Sequence, residues 1–320
     1  MPADPPRAAL HAYGLEAESF TPLTGGVINE VWRIEDSDLA FVLKQYAALD
    51  ITRVRQSIAV QQAAQSQGVP VPTIVPNRFG EPVTVVDGRA HVLSRFVAGK
   101  LYEPGAIPEA ASRHMGEVLG HLHAALTEMK PGRTPSLPSP GEIEAQLRSL
   151  LAIALSRGDD PIDEIAAGIL EAKLDLLSGI DRVPALEAQW THGDFEWRNV
   201  LFDDAEQVAA VIDFDDAAYY HPARDVMRCI ALSFPALEPG VDEYFAGYTF
   251  VRHLTTDEAR DYVEFYRYIS TFRVWPIIAR YRQQEYYKPE WSALIQPLIA
   301  WDWDLLAHRL SDVAANAVRG

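Results

Sequence analysis

Three oxygen-bearing side chains stand at short spacing in the second half of this 320-residue chain. Asp194 is followed five positions later by Asn199, and Asp213 comes fourteen positions after that. A carboxylate can orient or deprotonate an attacking hydroxyl, and Mg²⁺ accepts an amide oxygen and a second carboxylate as ligands. Because this order of residues is typical of phosphoryl transfer, we interpret Asp194 as a base and the other two residues as metal ligands.

The two metal-ligand candidates are predicted to lie on or beside one β-hairpin. Apolar runs at residues 199–202 and 208–214 flank an Asp-Asp turn, which is the pattern of two short antiparallel strands. Pairing of these strands would bring Asn199 and Asp213 close enough to share one cation. Asp194 would then lie in the loop just before the hairpin, where it could meet a substrate hydroxyl.

One lysine in the first third of the chain has a candidate role in the same chemistry. Lys44 is the only lysine among residues 1–99, and it lies at the end of an apolar run that predicts a strand over residues 39–46. A flexible ammonium can act as a point charge on nucleotide phosphates. The alternative is a surface lysine at a strand end, and the downstream motif favours the phosphate contact.

Paired glycines occupy a predicted turn between two strands near the start of the chain. Gly25 and Gly26 would let backbone N–H groups approach a phosphate closely. Gly-Gly hairpin turns are common, however, and the sequence has neither a Walker A loop nor a Gly-x-Gly-x-x-Gly fingerprint. The glycines therefore support a phosphate site only in combination with Lys44.

The chain changes from strand patterns to helix patterns near residue 97. The first part predicts an antiparallel sheet of about five strands, a short helix over 6–14 and a helix over 51–67, and residues 94–99 suit a hinge. The rest is predicted to be mainly helical, with helices that include 108–126, 256–281 and 291–315. We therefore predict an α+β fold with a small antiparallel-sheet N-lobe, residues 1–97, and a larger helical C-lobe, residues 98–320.

Composition favours a soluble cytoplasmic protein. The chain is 48% hydrophobic and 23% charged, and it has no signal-peptide pattern and no apolar run near 18 residues, so we expect no membrane partner. Its single cysteine, Cys229, excludes an intramolecular disulfide and a multi-cysteine zinc site. The apolar neighbours of Cys229 predict a buried structural thiol.

The net charge of −17 is concentrated after residue 97. Residues 1–97 hold 8 Lys and Arg against 10 Asp and Glu, and residues 98–320 hold 20 against 35. An acidic chain repels phosphate backbones, which argues against nucleic acid as a partner. The acidic C-lobe could simply maintain solubility, or it could attract a cationic small-molecule acceptor.

Several motifs resemble one family of small-molecule kinases. The segment His192-Gly193-Asp194 with Asn199, together with Ile212-Asp213-Phe214, resembles the aminoglycoside phosphotransferase and choline kinase superfamily, which includes type II homoserine kinases. Residues 68–72 and 119–123 are also similar to segments of that family. The resemblance implies a protein-kinase-like bilobal fold, the cofactors ATP and Mg²⁺, and a hydroxyl-bearing small-molecule acceptor.

The resemblance also implies roles for individual residues. Asp194 would be the catalytic base, Asn199 and Asp213 would bind Mg²⁺, and Lys44 would contact phosphate. Nucleotide contacts would come from the turn at Gly25 and Gly26 and from backbone at residues 94–97, which include Ser94 and Phe96. Supporting roles would fall to His192, as a brace of the loop, and to Asp225, as a buttress of the site.

The chain departs from the family pattern at the partner of the strand lysine. The family usually places a glutamate in the first helix of the N-lobe to pair with that lysine, but no Asp or Glu occurs between Asp50 and Glu81. A neutral side chain, or a carboxylate from elsewhere, would have to hold Lys44. The departure also motivates one alternative, a non-catalytic or weakly active nucleotide-binding protein with a kinase fold.

A protein Ser/Thr kinase is a second alternative, but Asp225 follows Asp213 by only twelve positions, which leaves little chain for peptide docking. The small-molecule acceptor is open at this point. The acidic C-lobe and its aromatic residues suit an amino alcohol, a choline-like compound or an aminoglycoside. A carboxylate-bearing acceptor such as homoserine is instead favoured by four late arginines, at positions 267, 273, 280 and 282. The sequence does not indicate an oligomeric state.

Overall fold

The computed structural model describes residues 5–16, 19–23, 29–47, 50–157, 160–283 and 302–317. Two compact units are distinguished by their internal contacts: Met1–Arg133 with Ala188–Arg252, and Thr134–Glu187 with His253–Gly320. Among the described residues, no helix has both the length and the apolar character that crossing a membrane would require.

Ten strands and ten helices are described. The first elements are α1 (Arg7–Tyr13), β1 (Ser19–Pro22), β2 (Glu30–Asp36), β3 (Leu39–Gln45), α2 (Ile51–Ser66), β4 (Ile74–Val75), β5 (Val83–Val86), β6 (Arg89–Arg95) and α3 (Glu109–Leu126). They are followed by α4 (Pro140–Arg157), α5 (Pro161–Ser178), β7 (Gln189–Thr191), β8 (Val200–Phe202), β9 (Val208–Val211), β10 (Ala218–Tyr220), α6 (Pro222–Ser233), α7 (Gly240–Val251), α8 (Thr256–Phe272), α9 (Trp275–Arg282) and α10 (Trp303–Ala317).

The first unit contains an antiparallel sheet of six strands in the order β1-β2-β3-β6-β4, with β5 paired to β6. Alternate residues of the central strands are buried, because successive side chains of a strand point to opposite faces. Trp32 and Ile34 of β2, Phe41 and Leu43 of β3 and Leu93 of β6 form one apolar cluster with α1. The sheet sets the position of Lys44, which lies on β3.

The predicted hairpin is confirmed. Val200 of β8 pairs with Val211 of β9, and the ladder continues to Phe202 and Val208. A second short pair, β7 with β10, joins Thr191 to Ala218 and therefore ties the chain before the hairpin to the chain after it. Together these pairs bring the loop that carries Asp194 and the residues after β9 into one region.

Helices α3 and α7 pack closely in the same unit. A Cβ atom on Gly116 of α3 would lie 1.8 Å from the carbonyl oxygen of Tyr244 in α7, so only glycine permits this approach of the two backbones. Cys229 of α6 is fully buried and free, as its apolar neighbours predict.

The described part of the second unit is helical, with α4, α5, α8, α9 and α10. One helix predicted over 256–281 is wrong in its extent, because α8 ends at Phe272 and α9 begins at Trp275. Pro276 lies in the first turn of α9, where its lack of an N–H and its fixed φ favour a helix start over a helix interior. Of the helix predicted over 291–315, residues 291–301 lie outside the described residues.

At least three of the four late arginines have polar partners within this unit. Arg267 Nη1 lies 3.7 Å from Glu264 Oε1, and Arg280 and Arg282 make shorter contacts. Arg280 donates to Asp163 Oδ1 at 2.7 Å and to Asp160 Oδ2 at 2.6 Å. Arg282 donates to Ser149 Oγ at 3.0 Å. These contacts give Arg280 and Arg282 structural roles and weaken the case that they recognise a carboxylate-bearing acceptor.

Candidate active site

Asp194 and Asn199 are brought together by a tight turn between β7 and β8. Residues Trp197–Asn199 form a single 3₁₀ turn, which directs the Asn199 side chain back toward the loop. Its Nδ2 donates to the Asp194 backbone carbonyl at 2.8 Å and to Asp194 Oδ2 at 3.1 Å. The amide therefore fixes the orientation of the Asp194 carboxylate.

Asp225 of α6 holds the backbone of this loop from below. The carboxylate is fully buried, and it accepts hydrogen bonds from the backbone N–H of His192 at 2.7 Å and of Gly193 at 2.8 Å. His123 Nε2 lies 3.2 Å from the same carboxylate. Burial alone would raise the pKa of Asp225, but the interactions with His123 and the nearby histidine and arginine lower it overall.

The loop has room only for glycine at position 193. Gly193 has a φ of 84°, and a Cβ atom there would lie 1.9 Å from the backbone oxygen of Asp216. A side chain would therefore be excluded both by the left-handed backbone and by the close approach of the segment after β9. This contact explains why the loop and that segment fit so closely together.

His192 links the loop to the residue before Asp213. The backbone N–H of Asp194 donates to His192 Nδ1 at 3.2 Å, so the proton of the neutral ring is on Nε2. Nε2 then donates to the carbonyl of Ile212 at 2.9 Å. These two hydrogen bonds form the brace that the sequence predicts for His192.

Lys44 reaches two carboxylates that follow the hairpin. Its Nζ lies 2.8 Å from Asp213 Oδ1 and 2.6 Å from Asp215 Oδ2. Burial would lower the pKa of Lys44, but these two carboxylates raise it overall, so the ammonium is charged. Burial in turn would raise the pKa of Asp213, and Lys44 lowers it overall. The predicted alternative of a carboxylate from elsewhere is therefore the one observed for Lys44.

Asp215 is a site residue whose contacts sequence reasoning missed. Asn29 Nδ2 donates to its Oδ2 at 2.7 Å, and the Tyr46 hydroxyl donates to its Oδ1 at 3.1 Å. Burial and the neighbouring Asp213 carboxylate raise the pKa of Asp215 despite the opposing effect of Lys44. The only sequence signal was its position two residues after a predicted metal ligand.

Helix α2 contacts residues 215–217 through hydrogen-bond donors. The family pattern would instead place a glutamate on this helix. Arg53 donates to the Asp215 carbonyl at 3.2 Å and pairs with Asp216 at 2.6 Å. Gln56 Nε2 donates to the Ala217 carbonyl at 3.3 Å. Helix α2 has no acidic residue, and the segment that it contacts carries two, Asp215 and Asp216.

The sequence does not single out two arginines that pair with acidic residues of this loop, one with Asp194 and one with Glu196. Arg228 of α6 forms an ion pair with Asp194 Oδ1. Arg198 binds Oε1 of Glu196, and Glu196 is only 1% exposed. Burial raises the pKa of Glu196, although Arg198 opposes this. Asp194 and the buried Glu196 are thus each paired with an arginine.

The predicted nucleotide contacts are placed less completely. Ser94 lies near the end of β6, where it pairs with Val42 of β3 and Ile74 of β4. Phe96 follows β6, and the Arg33 guanidinium lies 4.4 Å from the centre of its ring. Gly25 and Gly26 lie outside the described residues. The adenine and phosphate contacts therefore stay predictions.

The residues predicted to bind Mg²⁺ fit such an ion in their chemistry. Both described hydrogen bonds of the Asn199 side chain use Nδ2, so Oδ1 can serve as a ligand. The Ile212 N–H donates to the Asn199 carbonyl at 2.9 Å, which keeps Asp213 next to Asn199 across the hairpin. In the described ranges, no group of three or more His, Cys, Asp or Glu side chains could hold a metal. One amide and one carboxylate suit an ion that keeps several waters.

Comparison with known sequences gives a family. The model of the "Phosphotransferase enzyme family" matches residues 19–266. Homoserine kinase from Pseudomonas aeruginosa PAO1 is 30% identical over 162 residues, which are 50% of this chain and 47% of that protein. Homoserine kinase from Zymomonas mobilis is 25% identical over 199 residues, 61% of this chain and 59% of that protein. The chain thus spans about half the length of the curated relatives it matches.

Solved structures give the same fold. An aminoglycoside phosphotransferase from Alicyclobacillus acidocaldarius has a TM-score of 0.69 at 19% identity, covering 100% of this chain and 97% of that one. Spectinomycin phosphotransferase APH(9)-Ia has a TM-score of 0.66 at 12% identity, covering 98% and 97%. The predicted α+β, kinase-like fold is confirmed, with its antiparallel-sheet N-terminal region and its helical C-terminal part. The chain belongs to the phosphotransferase enzyme family that its motifs predict.

Proposed function

We propose that this chain transfers the γ-phosphate of ATP, with Mg²⁺, to a hydroxyl of a small molecule. The observation that carries the proposal is that Lys44, from the N-terminal sheet, reaches the segment that holds Asp194, Asn199 and Asp213. Lys44 contacts Asp213 at 2.8 Å, and Asn199 contacts Asp194 at 3.1 Å. Phosphoryl transfer needs a base, hard oxygen ligands and a cation, held in position, more than it needs covalent chemistry.

Each residue has a defined part in this proposal. Asp194 accepts the hydrogen bond of the acceptor hydroxyl and takes its proton as the oxygen attacks. Asn199 Oδ1 and the Asp213 carboxylate would hold Mg²⁺, which when bound would neutralise charge on the phosphates. Lys44 places a positive charge near the nucleotide. Gly25 and Gly26 would cover the phosphates, and the backbone near Ser94 and Phe96 would hold the adenine.

The nucleotide and the metal are supported by a structural neighbour. Amicoumacin kinase hAmiN, with a TM-score of 0.65 and 12% identity, was solved in complex with AMP-PNP, Ca²⁺ and Ami. The predicted lobe boundary near residue 97 belongs to this proposal, since the nucleotide would be held mainly by residues 1–97 and the acceptor by residues 98–320.

For the acceptor we propose a small amine-bearing alcohol. Structural neighbours include a microcompartment-associated aminopropanol kinase, with a TM-score of 0.61 and 18% identity, and the sequence relatives are homoserine kinases. Both acceptors named by these proteins carry an amine and a hydroxyl. The net charge of −17 is consistent with a cationic acceptor.

The structure weakens the case for the alternative, a non-catalytic nucleotide-binding protein. It was motivated by the lack of a glutamate partner for Lys44, and the contact with Asp215 at 2.6 Å supplies a carboxylate. A protein that only bound nucleotide would have no need of the oriented carboxylate of Asp194.

An acceptor screen tests the proposed function. The purified chain, MgATP and a panel of hydroxylated compounds would be assayed for ADP release, with aminopropanol, homoserine, choline and spectinomycin among them. We expect release that depends on one class of acceptor and on Mg²⁺, and that is lost in Asp213→Asn. Acceptor-independent background alone, across all compounds tested, would contradict the proposal.

A further inference from the structure

Asp215 is bound by donors from three places in the N-terminal part of the chain. Lys44 of β3 lies 2.6 Å from its Oδ2, Asn29 donates to the same oxygen at 2.7 Å, and Tyr46 donates to Oδ1 at 3.1 Å. Asn29 is itself oriented, because its Oδ1 accepts the backbone N–H of Ala47 at 3.0 Å. This is a set of directional contacts and not a chance surface pair.

The contacts on Asp215 suit a cation-holding carboxylate. Both of its oxygens already accept hydrogen bonds from protein donors, and one of them accepts two. Asp213 differs, because Lys44 is the one side chain described as bonded to its carboxylate, beside the backbone N–H of Asp215, and the Asp213 side chain is 43% exposed. Asp213 therefore has the free lone pairs that a metal ligand needs, and Asp215 has the fixed geometry that a positioning residue needs.

Lys44 contacts both carboxylates, and this creates a conflict at Asp213. In the proposed function, Asp213 must direct its oxygens to Mg²⁺, and the repulsion between two cations on one carboxylate would displace Lys44. A lysine that had lost its only carboxylate partner would lose its fixed position. A second carboxylate, outside the metal site, removes the conflict.

We propose that Asp215 is the positioning residue that holds Lys44 in place, through contacts with Asn29 and Tyr46, so that Asp213 is left to the metal. This inference rests on the proposed function, in which Lys44 contacts the nucleotide. It assigns the part usually played by a helix glutamate to a residue two positions after the metal-ligand candidate.

The donors on α2 agree with this assignment. Arg53 binds the backbone carbonyl of Asp215 at 3.2 Å, and Gln56 binds that of Ala217 at 3.3 Å. An acidic residue on this face of α2 would be repelled by Asp215 and Asp216. The helix therefore fastens the acidic segment, and the segment holds the lysine.

A double-mutant cycle tests the inference. Asp215→Asn, Lys44→Met and the double variant would be compared for kcat, for KM of ATP and of the acceptor, and for affinity for Mg²⁺–AMP-PNP. We expect Asp215→Asn to lower kcat/KM for ATP by about 10- to 100-fold, the loss of one hydrogen bond to a charged group. KM for the acceptor should change by less than about threefold.

The double variant distinguishes positioning from an independent role. If Asp215 acts through Lys44, adding Asp215→Asn to Lys44→Met should cost less than about twofold further, because coupled residues are not additive. A full additional loss in the Lys44→Met background would overturn the proposal and point to a metal ligand. An unchanged kcat/KM for ATP in Asp215→Asn would also overturn it.

Asp216→Asn is the matched control, since it removes a neighbouring carboxylate that pairs with Arg53 where both side chains are about half exposed. We expect kcat/KM for ATP within about twofold of the unmodified chain, as for an exposed ion pair. Asp215→Glu should recover part of the activity. If Asp215→Asn does not fold, Tyr46→Phe and Asn29→Ala replace it. Each should lower kcat/KM for ATP by a smaller factor and leave KM for the acceptor unchanged. An unchanged kcat/KM for ATP in both variants would contradict the proposal.

Failure of the proposed function has a different result. If the chain transfers phosphate to no acceptor, the proposed function is contradicted. The role of Asp215 can still be tested in that case, by comparing the affinities of Asp215→Asn and Asp216→Asn for Mg²⁺–AMP-PNP. An active chain with additive losses would contradict only the role of Asp215. Equal nucleotide affinity in all variants would also contradict that role.

Discussion

The carboxylates of the candidate site differ in the number and kind of hydrogen bonds that they accept. Asp225 is the extreme case, since one buried carboxylate serves two backbone N–H groups and a histidine. Asp194 is held differently, by Asn199 on one oxygen and by Arg228 on the other. A carboxylate oxygen can accept more than one hydrogen bond, so both contacts can orient Asp194 while it receives a substrate hydroxyl.

Asp225→Asn is expected to destabilise the chain by about 2–4 kcal/mol and to lower kcat, because one of two buried N–H donors would face an amide N–H₂. Urea unfolding with an unchanged m-value would measure the loss. Asp204→Asn, on the exposed turn of the hairpin, is the control and should be neutral. Full stability in Asp225→Asn would show that the two backbone contacts contribute little.

At the scale of elements, the hairpin and the loop before it act as one piece. The β8–β9 ladder fixes Asn199 beside Asp213, and the β7–β10 pair closes the segment at its base. The close approach of Gly193 to the backbone of Asp216 then fixes the position of the loop against the segment after β9.

Two glycine substitutions should have opposite effects. Gly193→Ala combines a positive φ with a 1.9 Å contact, so we expect loss of more than about 2 kcal/mol of stability and loss of activity. Gly168→Ala lies within α5, where a Cβ atom would meet nothing within 4 Å, and it should stabilise by about 0.5–1 kcal/mol. Thermal unfolding of both variants checks the pair, and equal shifts would contradict the described loop.

These elements also show how far the sequence could predict the structure. The hairpin and the antiparallel sheet followed from local alternation and turn residues, which act over a few positions. The partner of Lys44 did not, because Asp215 is 171 positions away in the chain and pairs with it only after folding. The end of α8 at Phe272 was missed because the apolar periodicity continues past Pro276.

For the whole molecule, buried histidines predict a sensitivity to mild acid. Burial lowers the pKa of His91 and His123, and it lowers the pKa of His221 to about 4. The unfolded chain takes up these protons near pH 6.5 and the folded chain does not. These histidines therefore contribute stability at neutral pH that is lost as the pH drops below about 6.5.

His221→Gln should reduce this dependence. Between pH 7 and pH 5, the single histidine is expected to account for about 2 kcal/mol of lost unfolding free energy. Urea unfolding at the two pH values would measure the difference, with the exposed His253→Gln as the control. An identical pH dependence in His221→Gln and in the unmodified chain would show that the folded state admits the proton.

The central claim, that Asp194 is the base of a phosphotransferase, is tested most directly by single-turnover transfer from γ-labelled ATP to the acceptor found in the screen. The unmodified chain should place the label on the acceptor in the presence of Mg²⁺. Asp194→Asn should do so about 10²- to 10⁴-fold more slowly while binding Mg²⁺–AMP-PNP with similar affinity. Transfer by Asp194→Asn at the unmodified rate would contradict the claim.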